Sequence, residues 1–550
     1  MREFVRPRWP LLVTLIAGVS IVIGLTYLPG EPSGHELPAR GGSYVEGVAG
    51  EPSTINPLFA AFNGVDRDLS SLVFAGLLRL GPKGDVQPDL AGMPRITPDG
   101  LNYIFELRSG LFWQDGEPLD ADDVAFTVRA IQDPGYVGDP VLAELFRDVE
   151  VEVRDERTVI ITLPQPFAPF LARGATVGIL PEHLLDGLDG AALREAPFNR
   201  EPVGSGPFKI ATLTSTGAAL EPFDSYHLGR PFLERLTLRF YRDDGELLNA
   251  LLNDEVDGAL FRPGMDPEDI GLIDGDAGWV RRSLHGTTLS LVYLNGLEAL
   301  FEQRLVRLAL QHGLDRDALI EDALAGQAIP LDSPIVPDLW AYVGSPEEYR
   351  YDPALASTQL NGAGWELEGD VRMKNGEPLR FTLAASDDPV QVAVADEIAR
   401  QWGELGIEVH VELSGASQFV EGVLLPHQFQ AALVTVDPGP DPDPYPLWHS
   451  SQAFGEGRNL ASFSDPDVDR LLENARLATS TAQRADDYRS FQEEYAKEQP
   501  VVLLYTPAFQ YVVRSDLRGL SPGVLLERSS RFNDVHLWFV ETGGESDVEP

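Results

Sequence analysis

From Leu433 to Ala475 the chain reads LVTVDPGPDPDPYPLWHSSQAFGEGRNLASFSDPDVDRLLENA, and side chains able to engage a ligand crowd there. Asp437 closes an apolar run, Asp441-Pro442-Asp443-Pro444 follows, and Trp448, His449, Arg458 and Asn459 come close behind. Trp448 and His449 offer rigid apolar area with a polar tip, fit to line a pocket. Asn459 can hydrogen-bond backbone groups, and Arg458 is the nearest cation for a ligand carboxylate. The competing reading makes the aspartates solvated turn residues, as Asp and Pro clusters often are, and the others packing or surface. Covalent chemistry has little to work with. The chain has nine histidines, no cysteine, and neither an H-E-x-x-H helix nor a G-x-S-x-G elbow. His449 with Asp443 supplies only half of an acid/base pair. Gly204-Ser205-Gly206 lacks the lysine and the helix start that a phosphate loop needs. No enzyme, cofactor or metal is therefore expected.

The elements that must hold such a segment are legible in several places. Tyr103, Phe105 and Leu107 alternate with Ile104, Glu106 and Arg108, the period of a strand with unlike faces. Ser109-Gly110 and Asp115-Gly116 are turns, and Asp120 is placed to cap a helix whose first turn holds Asp122 and Asp123. Val124, Val128 and Ile131 share one face of that helix. TVIITLPQPF (158–167) is a strand with a proline exit. Leu305, Leu308, Ala309 and His312 recur at helical spacing up to Gly313, and Asp315 is placed to cap the next helix. The alternating LRFTLAAS (379–386) precedes VADEIARQWGELGIEVHVEL (394–413), which reads as helix, glycine turn and strand.

At 550 residues the chain is too long for one core and needs two or three compact units. Its 43% hydrophobic and 23% charged residues are ordinary for a globular protein. A formal charge of −44 argues against nucleic acid, disfavours anionic solutes and modestly attracts cationic ones, although a solubilising surface accounts for it as well. Leu11 to Leu28 is an uncharged run of 18 residues behind Arg2, Arg6 and Arg8. As a helix it reaches roughly 27 Å, enough for a hydrocarbon core, with Trp9 and Tyr27 at its interfaces. A cleaved signal would need a shorter core and a small-x-small site, which TYLPGEPSG does not supply. The expectation is a cytoplasmic basic tail (1–10), a transmembrane signal anchor (11–28) and a polar stalk (29–40). The globular part then lies on the extracytoplasmic side of the cell membrane, on a single-pass anchor in contact with the lipid bilayer. Without cysteine there are no disulfides.

Phe74 to Ile131 carries the most ordered pattern. Asn56-Pro57 comes before it, and Gly76-Leu77, Pro88 to Ala91, Asp99 to Trp113, Asp115 to Pro118 and Ala121 to Phe126 follow in sequence. This order resembles the peptide and nickel class of extracytoplasmic solute-binding proteins, family 5, the receptors of ATP-driven oligopeptide and dipeptide importers. Glu201 to Ile210 and Phe301 to Pro337 are similar to later steps of the same pattern. The resemblance implies a two-lobed α/β clam of the class II periplasmic-binding-protein type with a third, accessory subdomain, behind the N-terminal transmembrane helix. Lobe I would comprise 41–81, 200–285 and 505–540, lobe II 286–504 and the accessory subdomain 82–199, with an acidic tail at 541–550.

The resemblance also implies a function. Peptides would be captured between the lobes and delivered to an ABC import permease, with its ATPase reached indirectly, by a monomer that binds no nucleic acid. One carboxylate would pair with the peptide's α-ammonium. Asp437 and Asp441 are both candidates, because two Asp-Pro units allow two alignments and Val434 stands where the family has tryptophan. Glu51 to Asn63 and Val203 to Pro207 would face the cleft from lobe I. Two alternatives remain: a metal chelate or other small non-peptide solute, which would put His449 and Arg458 in the cleft, and an anchored sensor or interaction module without transport.

Overall fold

The computed structural model describes residues 40–344, 349–455 and 457–541. The expected basic tail, apolar span and all but Arg40 of the stalk, together with the tail beyond Glu541, lie outside the described residues. Among the described residues no helix is long and apolar enough to cross a membrane.

Val501–Arg514 is the longest strand and almost wholly buried. Its opening Val-Val-Leu-Leu is the continuous apolar run expected of a strand covered on both faces. Along its first part Tyr293 to Ser290 pair with Val501 to Tyr505, and Ala328–Pro330 lies against Tyr505 to Pro507 on the other edge. From Ala508 onward the partners change to Trp279–His285 and Gly258–Phe261. The switch falls at Thr506-Pro507, where proline has no N–H to offer a ladder.

Each end of this strand belongs to its own half of a twelve-stranded sheet. One half continues through Gly258–Phe261 to Ser43–Ala49, Arg235–Tyr241, Gly217–Pro222 and Phe208–Thr214. The other runs through Leu289–Leu294 to Ala431–Val436, Arg380–Ser386 and Glu408–Ser414. Leu289–Leu294 shows the two-sided burial directly: Leu291 and Tyr293 join a core with Trp448 and Tyr495, while Val292 and Leu294 join another with Phe381 and Trp402.

The local patterns expected from the sequence are present. Asn102–Glu106 is a strand of a separate four-stranded antiparallel sheet, pairing with Thr158–Thr162. Asp120 caps the helix Ala121–Gln132 by accepting from Asp122 N at 3.0 Å, and Asp123 reaches back to Asp120 N at 3.1 Å, a reciprocal capping box. The helix Pro389–Glu404 ends near Gly406, whose φ of +84° turns the chain into Glu408–Ser414.

A buried charge network closes the first half. Arg531 reaches Glu46 of the first strand at 2.7 Å and Asp68 of the helix Gly64–Val73 at 2.6 and 2.9 Å, with all three side chains excluded from water. Tyr44 and Tyr511 donate to the other oxygen of Glu46 at 3.1 and 3.3 Å. The network thereby joins residues near both ends of the described chain. Burial pushes the Glu46 carboxyl above its ordinary range, against the pull of Arg531. Arg531→Met strands two buried carboxylates and should cost about 3–5 kcal/mol at pH 7, read by urea denaturation. Without Arg531 the folded state holds protons that the unfolded state releases, so the lost stability should return in part as pH falls from 7 toward 5.

Candidate functional site

Arg380–Ser386 and Ala431–Val436 run parallel, yet they pair only through Leu383 with Ala431 and Ala384 with Ala432. Beyond those rungs the carboxyl ends part and a cavity of about 740 Å³ opens, lined on its two sides by Ser386 and by Leu433, Val434 and Thr435. Ligands in open α/β sheets commonly sit at such carboxyl ends. The helix Pro389–Glu404 starts at one rim, where Asp388 caps it by accepting from Val390 N and Gln391 N. A single π-helical turn, Phe419–Leu424, forms the wall. Pro263, Gly264 and Met265 close the cavity from the other half of the sheet. Gln327 fixes that closing loop by accepting from Gly264 N and Met265 N at 3.0 and 2.9 Å and donating to Met265 O at 2.8 Å.

Polar groups converge on a largely apolar enclosure. The Ser290 and Thr435 hydroxyls lie 3.1 Å apart, and Gln391 Nε2 donates to the Thr435 hydroxyl at 3.1 Å. Burial pushes the neighbouring Tyr505 hydroxyl up to about 12, so it stays protonated and able to donate. Asp322 and Asp388 are the charged lining residues. These groups can orient a polar chain while the walls take up apolar side chains. Among the described residues no cluster of His, Cys, Asp or Glu is arranged to hold a metal ion.

The Asp-Pro segment divides its aspartates between two uses. Asp437 is exposed at the end of its strand, and its Oδ1 accepts from the Thr287 hydroxyl at 2.7 Å and from Gly439 N at 2.9 Å. Its Oδ2 has no hydrogen-bond partner among the described residues. Asp441 is 1% exposed, with one oxygen 2.7 Å from Arg484 Nη1 and the other on Nη2 of the same guanidinium. Asp443 is held the same way by Arg476, at 2.7 to 3.2 Å, and Arg476 lies 3.8 Å over the Tyr445 ring.

The remaining candidates are spent on packing or stand at the surface. Trp448 is fully buried between Tyr293 and Tyr495. His449 is stacked 4.1 Å from Tyr445, its Nδ1 accepting from Ser451 N. Asn459 braces its own loop, donating to His449 O and Phe463 O and accepting from Phe463 N. Arg458 is exposed. Val203 to Pro207 is pressed against Val73: a Cβ on Gly204 would sit 1.9 Å from Val73 O, and Gln114 binds Gly204 on both backbone groups. These glycines serve close backbone approach, not an open loop.

Residues that sequence reasoning missed complete the surroundings. Glu527 lies 3.9 Å from Arg67 and feels the charges of Asp437 and Asp139, which, with burial as the larger cause, raise its carboxyl above the ordinary range. Its side chain is still 42% exposed. Tyr505 and Ser290 carry no local motif; only strand pairing brings them together. The segment 166–173 also docks here, with Ala168 N donating to Arg476 O of the helix Pro466–Leu477 at 2.8 Å and Arg173 donating to Pro438 O of the Asp-Pro loop at 3.3 Å.

Residues 85–457 match the family model for bacterial extracellular solute-binding proteins, family 5. Protein XP55 of Streptomyces lividans is 32% identical over 489 residues, covering 87% of this chain and 86% of that protein. The oligopeptide-binding protein AppA of Bacillus subtilis is 28% identical over 495 residues, covering 88% and 89%. The AppA structure, solved with a nonapeptide, superposes with a TM-score of 0.63 at 25% identity, covering 92% of this chain and all of that one. NikZ of Campylobacter jejuni, solved with Ni(L-His), gives 0.65 at 25% identity, over 90% and 99%. The relatives share the two-lobed α/β fold that the divided sheet displays, and this chain belongs to the bacterial extracellular solute-binding proteins of family 5.

Proposed function

We propose that this protein captures peptides outside the cytoplasm and hands them to an ABC import permease. The observation that carries the reading is the parted seam between Arg380–Ser386 and Ala431–Val436. Past Ala432 the edge of the second strand faces a cavity instead of its neighbour, and an extended peptide can add to such an edge through its main chain. A main-chain reader accepts many side-chain sequences, which suits a nutrient receptor. The names of the relatives, among them oligopeptide-binding AppA, agree with it.

Asp437 is the ammonium partner in this reading. Its Oδ2 has no hydrogen-bond partner among the described residues, whereas both oxygens of Asp441 already neutralise Arg484. Lobe I is assigned to 41–81, 200–285 and 505–540, lobe II to 286–504 and the accessory subdomain to 82–199, with the hinge at Thr506-Pro507, where the long strand changes partners. Closure about that point would offer the permease one pair of lobe tips. Residues 11–28 would anchor the receptor, on the 29–40 stalk, to the outer face of the membrane. The metal-chelate reading draws less support, because His449 is packed against Tyr445 rather than presented to the cavity.

Two experiments test this function. Native mass spectrometry of protein purified without added ligand should find a heterogeneous set of short peptides; a single non-peptide species would overturn the reading. Asp437→Asn should weaken binding of a free-amine peptide by about 10- to 100-fold, the worth of a charge-assisted hydrogen bond, while leaving the N-acetylated peptide unaffected. Equal loss for both peptides, or none for either, rejects Asp437 as the ammonium partner.

A further inference from the structure

The cavity wall says more about the ligand than that it is a peptide. Val420 is 45% exposed and Val390 41%, and both border the same cavity. Phe419 and Leu424 of the π-turn, Leu324 and Met265 complete an apolar surround fed by four separate segments. In a chain carrying a formal charge of −44, such convergence of uncompensated apolar surface marks a binding groove rather than a random patch. Among the described residues the charged groups at its border are both acidic, Asp322 and Asp388, and no Lys or Arg lines it.

Resting on the peptide reading above, we propose that this cavity selects peptides by a bulky apolar side chain and rejects acidic ones, with the Phe419–Leu424 turn as the selecting wall. A volume of about 740 Å³ holds more than one large side chain, so selection comes from the chemistry of the wall and not from tight fit. An apolar side chain gains by leaving water against Val420, Val390 and Phe419. A carboxylate entering the same space loses its hydration, finds no cation and meets the field of Asp322 and Asp388. The amide and hydroxyl groups of Gln391, Thr435 and Ser290 are already engaged with one another and stay near the strand edge, where the peptide main chain runs. The wall is also built so that its residues can be changed: Leu425 N bonds Val420 O at 3.0 Å in the i to i+5 pattern, a backbone contact that survives a new side chain at 420. Such single π-turns recur at functional sites.

The test uses the full chain and four peptides identical except at one position, which carries Ala, Leu, Asn or Asp; the last three have nearly the same size. Titration calorimetry should show Leu binding about 10- to 100-fold tighter than Ala, Asn no tighter than Ala, and Asp weakest. Val420→Lys, at a half-exposed position whose folding is checked by thermal melting, should lower Leu affinity and raise Asp affinity, reversing their order. Equal binding of Leu, Asn and Asp by the unchanged protein overturns the proposal, as does an unchanged Leu-to-Asp ratio in folded Val420→Lys. In both of those outcomes the Ala peptide still binds, so the peptide reading stands. If no peptide of the set binds, the peptide reading itself fails.

Discussion

The structure depends on one strand serving two sheets. Val501–Arg514 is a centre of pairing for both halves, so neither half closes its core until this stretch is in place. It lies late in the chain while its partners precede it, the nearest, Ala328–Pro330, about 170 residues earlier and the farthest some 250. Ordering it therefore closes long loops before most of the reward arrives, the situation in which folding is slow. The partner switch at Thr506-Pro507 leaves a short length of backbone as a shared joint between two well-packed bodies. A joint of that kind concentrates a rotation in a few dihedrals instead of spreading it through a core that resists deformation.

Buried charge does the complementary work of fixing what lies around that joint. Arg531 binds two carboxylates, and Arg484 and Arg476 bind one each, all through several nitrogens at once. The planar guanidinium suits such pairing, because its donors match the spacing of carboxylate oxygens. Net stabilisation from pairs like these is small once desolvation is counted, whereas the loss on removing one partner is large. Their effect is to exclude alternatives. A loop bearing Asp441 and Asp443 has one low-energy placement, the one in which both find their arginines.

How much of this could be read from the sequence follows the range of the interactions. The strand at 102–106, the capped helix at 121–132 and the helix, glycine and strand unit at 389–414 depend on neighbours a few residues away, and their periodicities and caps declare them. The helix Arg304–His312 is legible as a helix, but its inward face is not fully so. Leu305 is 39% exposed while Val306, Ala309 and Leu310 are buried, because the surface it meets comes from distant strands. The division of labour among the aspartates is less legible still. Asp437, Asp441 and Asp443 look alike in the chain, and the arginines that claim two of them lie 33 and 43 residues further on, on two different helices. Trp448 and Asn459 have the chemistry of ligand contacts, yet aromatic neighbours and loop carbonyls reach them first.

That division bears directly on the carboxylate left over. Asp437 hangs between two fixed points: the strand Ala431–Val436 on one side and the Arg484 clamp on Asp441 four residues later on the other. Pro438 and Pro440 stiffen the interval, each with φ locked by its ring. The Thr287 hydroxyl and Gly439 N then hold Oδ1, which leaves rotation about the side chain little freedom. A carboxylate so confined gives up less entropy on meeting a cation than one on a mobile loop, and preorganisation of this sort raises affinity without adding a contact. Asp441 and Asp443 thus bear on the placement of Asp437 without touching it. They are part of the reason that Asp437, the first aspartate of the series, is held in one place.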